Sequence, residues 1–470
     1  MSKLLISFQT LDIFPESAHF EAKIDSKFPF KISKMNMNEL LQQKEVNSDE
    51  RLIELEKSSL YIIEFTDLDI TKDFHLTLES KSAHPNLTFN LAKDSIFDQY
   101  FAMESSSVDH MAYFLWIHPP VNAIDFDIKP FSLKFIKKFR ENSDLFIIGH
   151  RGMGSEDCNY IKSLNHINEN SIAAFQKAHE MKLPAVELDI QLSKDDQFII
   201  HHNFTLKIDS VDGKGILDVK AKDPSLSKDV LNLSNNLSFS EIRNLLNYHP
   251  DIISDNDRVP RLSDVFNRTS CELGIDIEVK YPKMTPVDIF KKCDNHLENI
   301  DNLQPCLYFG NINKVVDRIG RELVDNKAKL ENRPILFSCF NADLCYVMKQ
   351  KYPKLQVLFI SLNGEDNEGC LDPRHSSWKG ACSWVKFANL DGLVIPYRSL
   401  ALYDDDELDE FTNILIAYEK PCFVYGDQLC LPESQDKICK LGMSGMFLDD
   451  VETYMKECWK YNNNELHNIH

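Results

Sequence analysis

No stretch of this 470-residue sequence approaches 18 apolar residues, so no membrane span is expected. The first residues, MSKLLISFQTLDIFPES, hold too short an apolar run for a signal peptide. The 12 cysteines lack CxxC or any other ligand spacing. They read as free thiols in a reducing cytoplasm. Sequons such as NLT at 86–88 then carry no weight. Positive charge is also short: 52 Lys and Arg face 73 Asp and Glu, for a net charge of −21. Generic binding to nucleic acid or an anionic membrane needs a basic surface, so both are excluded as expectations. A small substrate whose phosphate meets local cations is not. Internal repeats and long low-complexity tracts are absent.

What is present is a 43% hydrophobic content, enough for a large core, and a change of rhythm along the chain. Residues 1–128 read as a small all-β sandwich. LYIIEFTDL (60–68), DFHLTLES (73–80) and MAYFLWIHPP (111–120) mix β-branched and aromatic residues with short breaks. Residues 129–144 are basic, break the pattern and read as a linker. From 145 to 460, short apolar runs alternate with amphipathic helical segments, the signature of a parallel sheet. Helices are expected in 169–182, 341–352 and 434–442, the first capped by Asn170 or Ser171.

Nine strand candidates follow: 145–150, 185–191, 198–202, 273–280, 335–340, 356–361, 392–397, 422–426 and 445–450. An eight-stranded barrel holds one fewer. The link LSKDDQ (192–197) resolves the excess. A parallel crossover takes a dozen residues or more, so this link turns a hairpin and 198–202 runs antiparallel to 185–191. The α/β class is therefore a (β/α)8 TIM barrel preceded by the sandwich. Folding the hairpin brings His202 back towards Glu187 and Asp189.

In VELDIQLSKDDQFIIHHN (186–203), Glu187 and Asp189 project to one side of a strand, as do Glu278 and Lys280 in IDIEVKYP. Barrel enzymes collect catalytic groups at the C-terminal ends of strands, where GHRG (149–152) also falls. Three clustered carboxylates repel unless a cation joins them, and all-oxygen ligation suits Mg²⁺ or Ca²⁺. Arg151 and Lys280 suit an anionic phosphoryl group. His150 and His202 suit general base and acid work. The inventory fits metal-assisted cleavage of a phosphodiester. Singly, each residue has a bland reading as a solvated acid or a core histidine; the ordered set does not.

IIGHRG, ENS at 169–171, VELDIQLSKDDQFIIHHN, IDIEVKYP and MSGMFLDD resemble the ordered motifs of the glycerophosphodiester phosphodiesterases over about residues 146–450. The two-part layout is similar to that of the cytosolic glycerophosphocholine phosphodiesterases. The resemblance implies hydrolysis of a glycerophosphodiester, glycerophosphocholine first, to glycerol 3-phosphate and an alcohol. It implies His150 and His202 as the catalytic pair and Glu187, Asp189 and Glu278 as ligands of one divalent cation. Arg151 and Lys280 would contact phosphate, with Glu169 and Asn170 supporting the substrate end. It further implies a starch-binding-like N-terminal module with a glycan as ligand, which a sequence with 4 tryptophans supports weakly.

One departure stands out: Asn203 occupies the place of the family's aspartate after the second histidine. Asparagine orients His202 without stabilising its charged form. Two other readings follow, a lysophospholipase D acting on lipid-bearing diesters and a non-catalytic binding protein on the same fold. His201 faces away from His202 and reads as structural. Phe340 and Tyr425, at strand ends, read as core or as a wall for the alcohol. The acidic run 404–410 reads as a solvated helix start. Residues 203–270, with a helix signal at 238–246, and 362–390 yield no role.

Overall fold

The computed structural model describes residues 120–131, 145–154, 167–193, 195–202, 259–281, 312–365 and 372–456 with their side chains; for strands between 2 and 117, and for 207–209 and 216–218, it describes the backbone. Asn203 and the helix signal at 238–246 lie outside the described residues.

The N-terminal strands pair only antiparallel, in one six-stranded and one four-stranded sheet. In the larger sheet Ser2–Phe8 lies between Ser59–Phe65 and Ala112–Ile117. Phe74–Ser80 lies in the smaller, between Phe20–Asp25 and Leu87–Leu91. The three stretches rich in β-branched and aromatic residues all became strands, and two such sheets are the components of a sandwich.

The second unit is a closed barrel. Its strands are β1 (Phe146–Gly149), β2 (Ala185–Leu192), β4 (Gly274–Val279), β5 (Ile335–Cys339), β6 (Val357–Ile360), β7 (Gly392–Pro396), β8 (Cys422–Tyr425) and β9 (Gly445–Leu448). Each runs parallel to its neighbours, and β1 pairs with both β9 and β2, which closes the ring. The ninth candidate is β3 (Phe198–Ile200), antiparallel to the outer end of β2 through Ile190↔Ile200 and Leu192↔Phe198. The turn is tight. Ser193 N–H donates to Gln197 O at 2.8 Å, Asp196 N–H donates to Ser193 O at 3.0 Å, and Asp196 takes φ 57.

All eight residues of β2 are buried, because both faces of a barrel strand are covered. Helix Ile172–Glu180 buries Ile172, Ala174, Phe175 and Ala178, and is capped by Ser171, whose Oγ accepts from Ala174 N–H. Helices Ala342–Lys351 and Pro432–Lys440 fall in the other two expected segments. Within the unresolved-by-pattern stretch 362–390, Trp378–Phe387 is helical with Ser377 as cap. The acidic run opens helix Asp405–Ala417, where Asp404 and Glu407 form a capping box.

The barrel floor is apolar. Phe131, Ile148, Ala185, Leu336, Leu358 and Phe423 belong to one buried cluster. Phe131 comes from the segment read as a linker, and only 4% of it is exposed. Its ring meets Phe146 edge-on at 5.6 Å, and Gln356 holds its backbone from both sides, accepting at 2.6 Å and donating at 3.3 Å. Gly274 leaves room for that ring: a Cβ there would lie 2.7 Å from it. Burying one phenylalanine this way stabilises the fold by about 2–3 kcal/mol.

Candidate active site

At the end of β1 the chain turns sharply, so that His150 and Arg151 sit over the mouth of the barrel. Gly149 is required there, since a Cβ would come within 2.0 Å of Gly152 O. Arg151 and Asn170 both take the left-handed backbone region, at φ 50 and 56. Such conformations cost on the order of 1 kcal/mol or more and persist only where the surroundings impose them. Here Asn170 N–H donates to Arg151 O at 2.9 Å, and Arg151 N–H donates to Glu187 Oε2 at 2.8 Å.

The side chains of the opening motif meet the others around that turn. His150 Nδ1 is hydrogen-bonded to Asp449, and its Nε2 lies 3.8 Å from Glu187 Oε2. Arg151 donates through one NH group to both oxygens of Glu169, at 2.8 and 3.0 Å, and its Nε is 3.6 Å from Asp189. Asn170 donates to Asp189 Oδ2 at 2.8 Å and accepts from Asp189 N–H at 3.2 Å. Parallel pairing sets Asp189 beside Glu278. Lys280 then spans them, donating to Glu278 at 2.7 Å and standing 3.6 Å from Asp189. One oxygen each from Glu187, Asp189 and Glu278 falls within 4.8 Å of the others, with all three residues buried.

Electrostatics follow from crowding. Burial and the charges of Asp189 and Glu278 push the Glu187 carboxyl well above the usual range. Burial acts the same way on Asp189, but Lys280, His202, Arg151 and His150 outweigh it and hold that group ionised. Burial lowers the Lys280 ammonium; Glu278 and Asp189 reverse this and carry it up to about 12. Burial raises Asp449, and His150 overcomes it, so that carboxyl lies below its ordinary value.

One pocket runs along these groups. Its polar side is made by His150, Arg151, Glu187, His202 and Glu278. Its other side is made by Phe340, Ile360, Val394, Tyr425 and Phe447, with Phe340 and Tyr425 edge-to-face at 6.3 Å. His202 thus shares a pocket with His150, as the hairpin geometry required. Its backbone carbonyl, with that of His201, accepts from Gln191 at 3.3 and 2.7 Å. His201 N–H donates to Asp189 O at 3.0 Å.

The family model described as the glycerophosphoryl diester phosphodiesterase family matches residues 150–453, more than half of the chain. The chain belongs to this family. It is 27% identical over 322 residues to the glycerophosphocholine phosphodiesterase of Homo sapiens, covering 66% of this chain and 44% of that protein. It is 26% identical over 345 residues to the enzyme of the same name from Candida albicans, covering 65% of this chain and 28% of that one. The chain spans under half the length of these curated relatives. The crystal structure of a glycerophosphodiester phosphodiesterase from Thermotoga maritima aligns with 20% identity and a TM-score of 0.41, over 66% of this chain and 97% of that one.

In this family member the nine residues singled out from the sequence lie in one neighbourhood. Glu169 and Asn170 find their partners in Arg151 and Asp189 rather than among the residues lining the pocket. Three contributors went unassigned in the sequence: Asp449 behind His150, Gln191 behind His202, and Asp276 below Glu278. FLDD and ELDIQ were visible as motif text, but nothing in them tells a histidine's partner from a neighbouring acid. The donor set fits a hard divalent cation. Glu187 Oε1 and Asp189 Oδ1 are buried without hydrogen-bond partners, and among the described residues the six carboxyls of Glu169, Glu187, Asp189, Asp276, Glu278 and Asp449 gather around two permanent cations, Arg151 and Lys280.

Proposed function

We propose that this family member hydrolyses a glycerophosphodiester, glycerophosphocholine foremost, to glycerol 3-phosphate and an alcohol. The observation that carries the reading is the convergence of Glu187, Asp189 and Glu278 in one pocket with His150 and His202. These three acids would hold one Mg²⁺ or Ca²⁺, which when bound neutralises charge on the phosphodiester and makes its phosphorus easier to attack. Lys280 and the remaining donors of Arg151 bind the phosphoryl oxygens and orient the ester.

The histidines divide the proton work. With Nδ1 of His150 committed to Asp449, its Nε2 faces Glu187 and the pocket. With Nδ1 engaged by the carboxylate, Nε2 is the ring nitrogen left to exchange a proton with the substrate. His150 is therefore the base that takes the proton of the attacking group, which is either water or the neighbouring glycerol hydroxyl; in the second case the alcohol leaves from a cyclic phosphate that water then opens to glycerol 3-phosphate. His202 is the acid that protonates the departing oxygen. Asp449 is a positioning residue, as is Gln191 through the His202 carbonyl.

The apolar side of the pocket suits a headgroup that brings carbon surface and no hydrogen-bond demand. A trimethylammonium group meets that description, and the faces of Phe340 and Tyr425 attract it. The names of the two relatives agree with choline. A cytoplasmic setting belongs to the same proposal and rests on the scattered cysteines of the sequence. Among the described residues no helix is long and apolar enough to cross a membrane. Glycan binding by the N-terminal strands rests on the resemblance alone.

The test is a panel of glycerophosphocholine, glycerophosphoinositol and lysophosphatidylcholine with added Mg²⁺, read by product identity. The expected result is glycerol 3-phosphate, fastest from glycerophosphocholine. Faster release of choline from lysophosphatidylcholine would move the reading to a lysophospholipase D. No turnover of any diester would move it to a non-catalytic binding protein.

A further inference from the structure

Beneath the three acids lies a fourth that this mechanism does not use. Asp276 is on β4, two residues before Glu278 and on the same face, and pairing sets it beside Glu187. It is fully buried, at 0% exposure. Its Oδ2 accepts from the Ser338 hydroxyl at 3.0 Å, and Ser338 lines the pocket. Its Oδ1 has no hydrogen-bond partner. Among the described residues no cation pairs with it, and it is not one of the three whose oxygens converge within 4.8 Å.

That placement is expensive for the fold. Packing alone does not call for an acid here; Leu336, Leu358 and Ile360 fill the same interior with carbon. An unpaired buried oxygen is costly, so it persists where something else uses it. The three converging carboxyls next to it are where a cation would use it.

We infer that Asp276 is an outer member of the cation site: without ligating the ion, its unpaired oxygen beside Glu187 and beneath Glu278 strengthens divalent binding, and Ser338 fixes it there. The inference rests on the metal reading given above. It extends that reading to a residue whose substitution leaves all three ligands in place.

The test is calorimetric titration of the metal-stripped full chain with Mg²⁺ and, separately, with Ca²⁺. Asp276→Asn keeps an acceptor for Ser338 and replaces the unpaired oxygen by an NH2 group. Its Kd for Mg²⁺ should rise at least tenfold, the range seen when outer-sphere partners of metal ligands are changed. Ser338→Ala, which retains the acid but frees it, should shift Kd about threefold in the same direction. An unchanged Kd in a folded Asp276→Asn chain, with only its melting temperature moved, overturns the inference. If that variant does not fold, an unchanged Kd in Ser338→Ala overturns it instead. Wild-type chain that binds neither ion defeats the metal reading itself, which is a different result from wild-type binding matched by the variant.

Discussion

The floor and the mouth of the barrel are made by the same strands and obey opposite rules. On β2, Ala185 joins the apolar floor, and two and four residues later Glu187 and Asp189 are just as buried but carry carboxyl groups. The floor gains stability from carbon removed from water. The mouth gives some of it back, holding like charges together out of solvent. A barrel tolerates this because its floor, closed by Phe131, is tight enough to fix the strand register that brings the acids together.

Substitutions in the two layers should therefore separate activity from stability. The largest effect is expected from Glu187→Gln, which keeps an acceptor for the Arg151 N–H. Turnover should fall at least about a thousandfold, equivalent to ~4 kcal/mol of barrier. Its thermal midpoint in EDTA should stay level or rise, since one buried acid of a repelling group is gone. Phe131→Ala should do the reverse. It should lose about 3–5 kcal/mol of stability by denaturant titration, while turnover per folded molecule at low temperature stays within about twofold.

Two smaller effects sharpen the boundary. Asp449→Asn should lower kcat by about 10- to 100-fold with little change in KM, because the His150 ring loses its charged partner and not its place. The same variant should show a pH-dependent stability difference from wild type. The Asp449 carboxyl is held below its unfolded value, so its contribution is present above about pH 4 and disappears as pH falls through the folded value. The gap between the two chains should favour wild type near neutral pH and close in acid.

Much of this was legible in the residues. Seven crossovers and one short link set the strand count, and the link LSKDDQ alone distinguished the hairpin from a ninth barrel strand. The acids and histidines were legible because side-chain alternation and strand ends place them without further knowledge. Phe131 was not, because a lone aromatic in a basic stretch carries no periodicity; its role exists only once β1, β4 and the residues before β6 converge on it. Asp449 and Asp276 were hidden for a similar reason. The former resembles any acid at a strand end, and the latter sits two residues from a better-marked one. Their partners, His150 and Ser338, lie 299 and 62 positions away in the chain.

The central claim is that a cation held by Glu187, Asp189 and Glu278 drives diester cleavage between the two histidines. The most direct measurement is release of glycerol 3-phosphate from glycerophosphocholine by the full chain, stripped with EDTA and then supplied with Mg²⁺ or Ca²⁺. Activity should vanish on stripping and return with one of the two ions. Equal turnover in EDTA and in metal would contradict it.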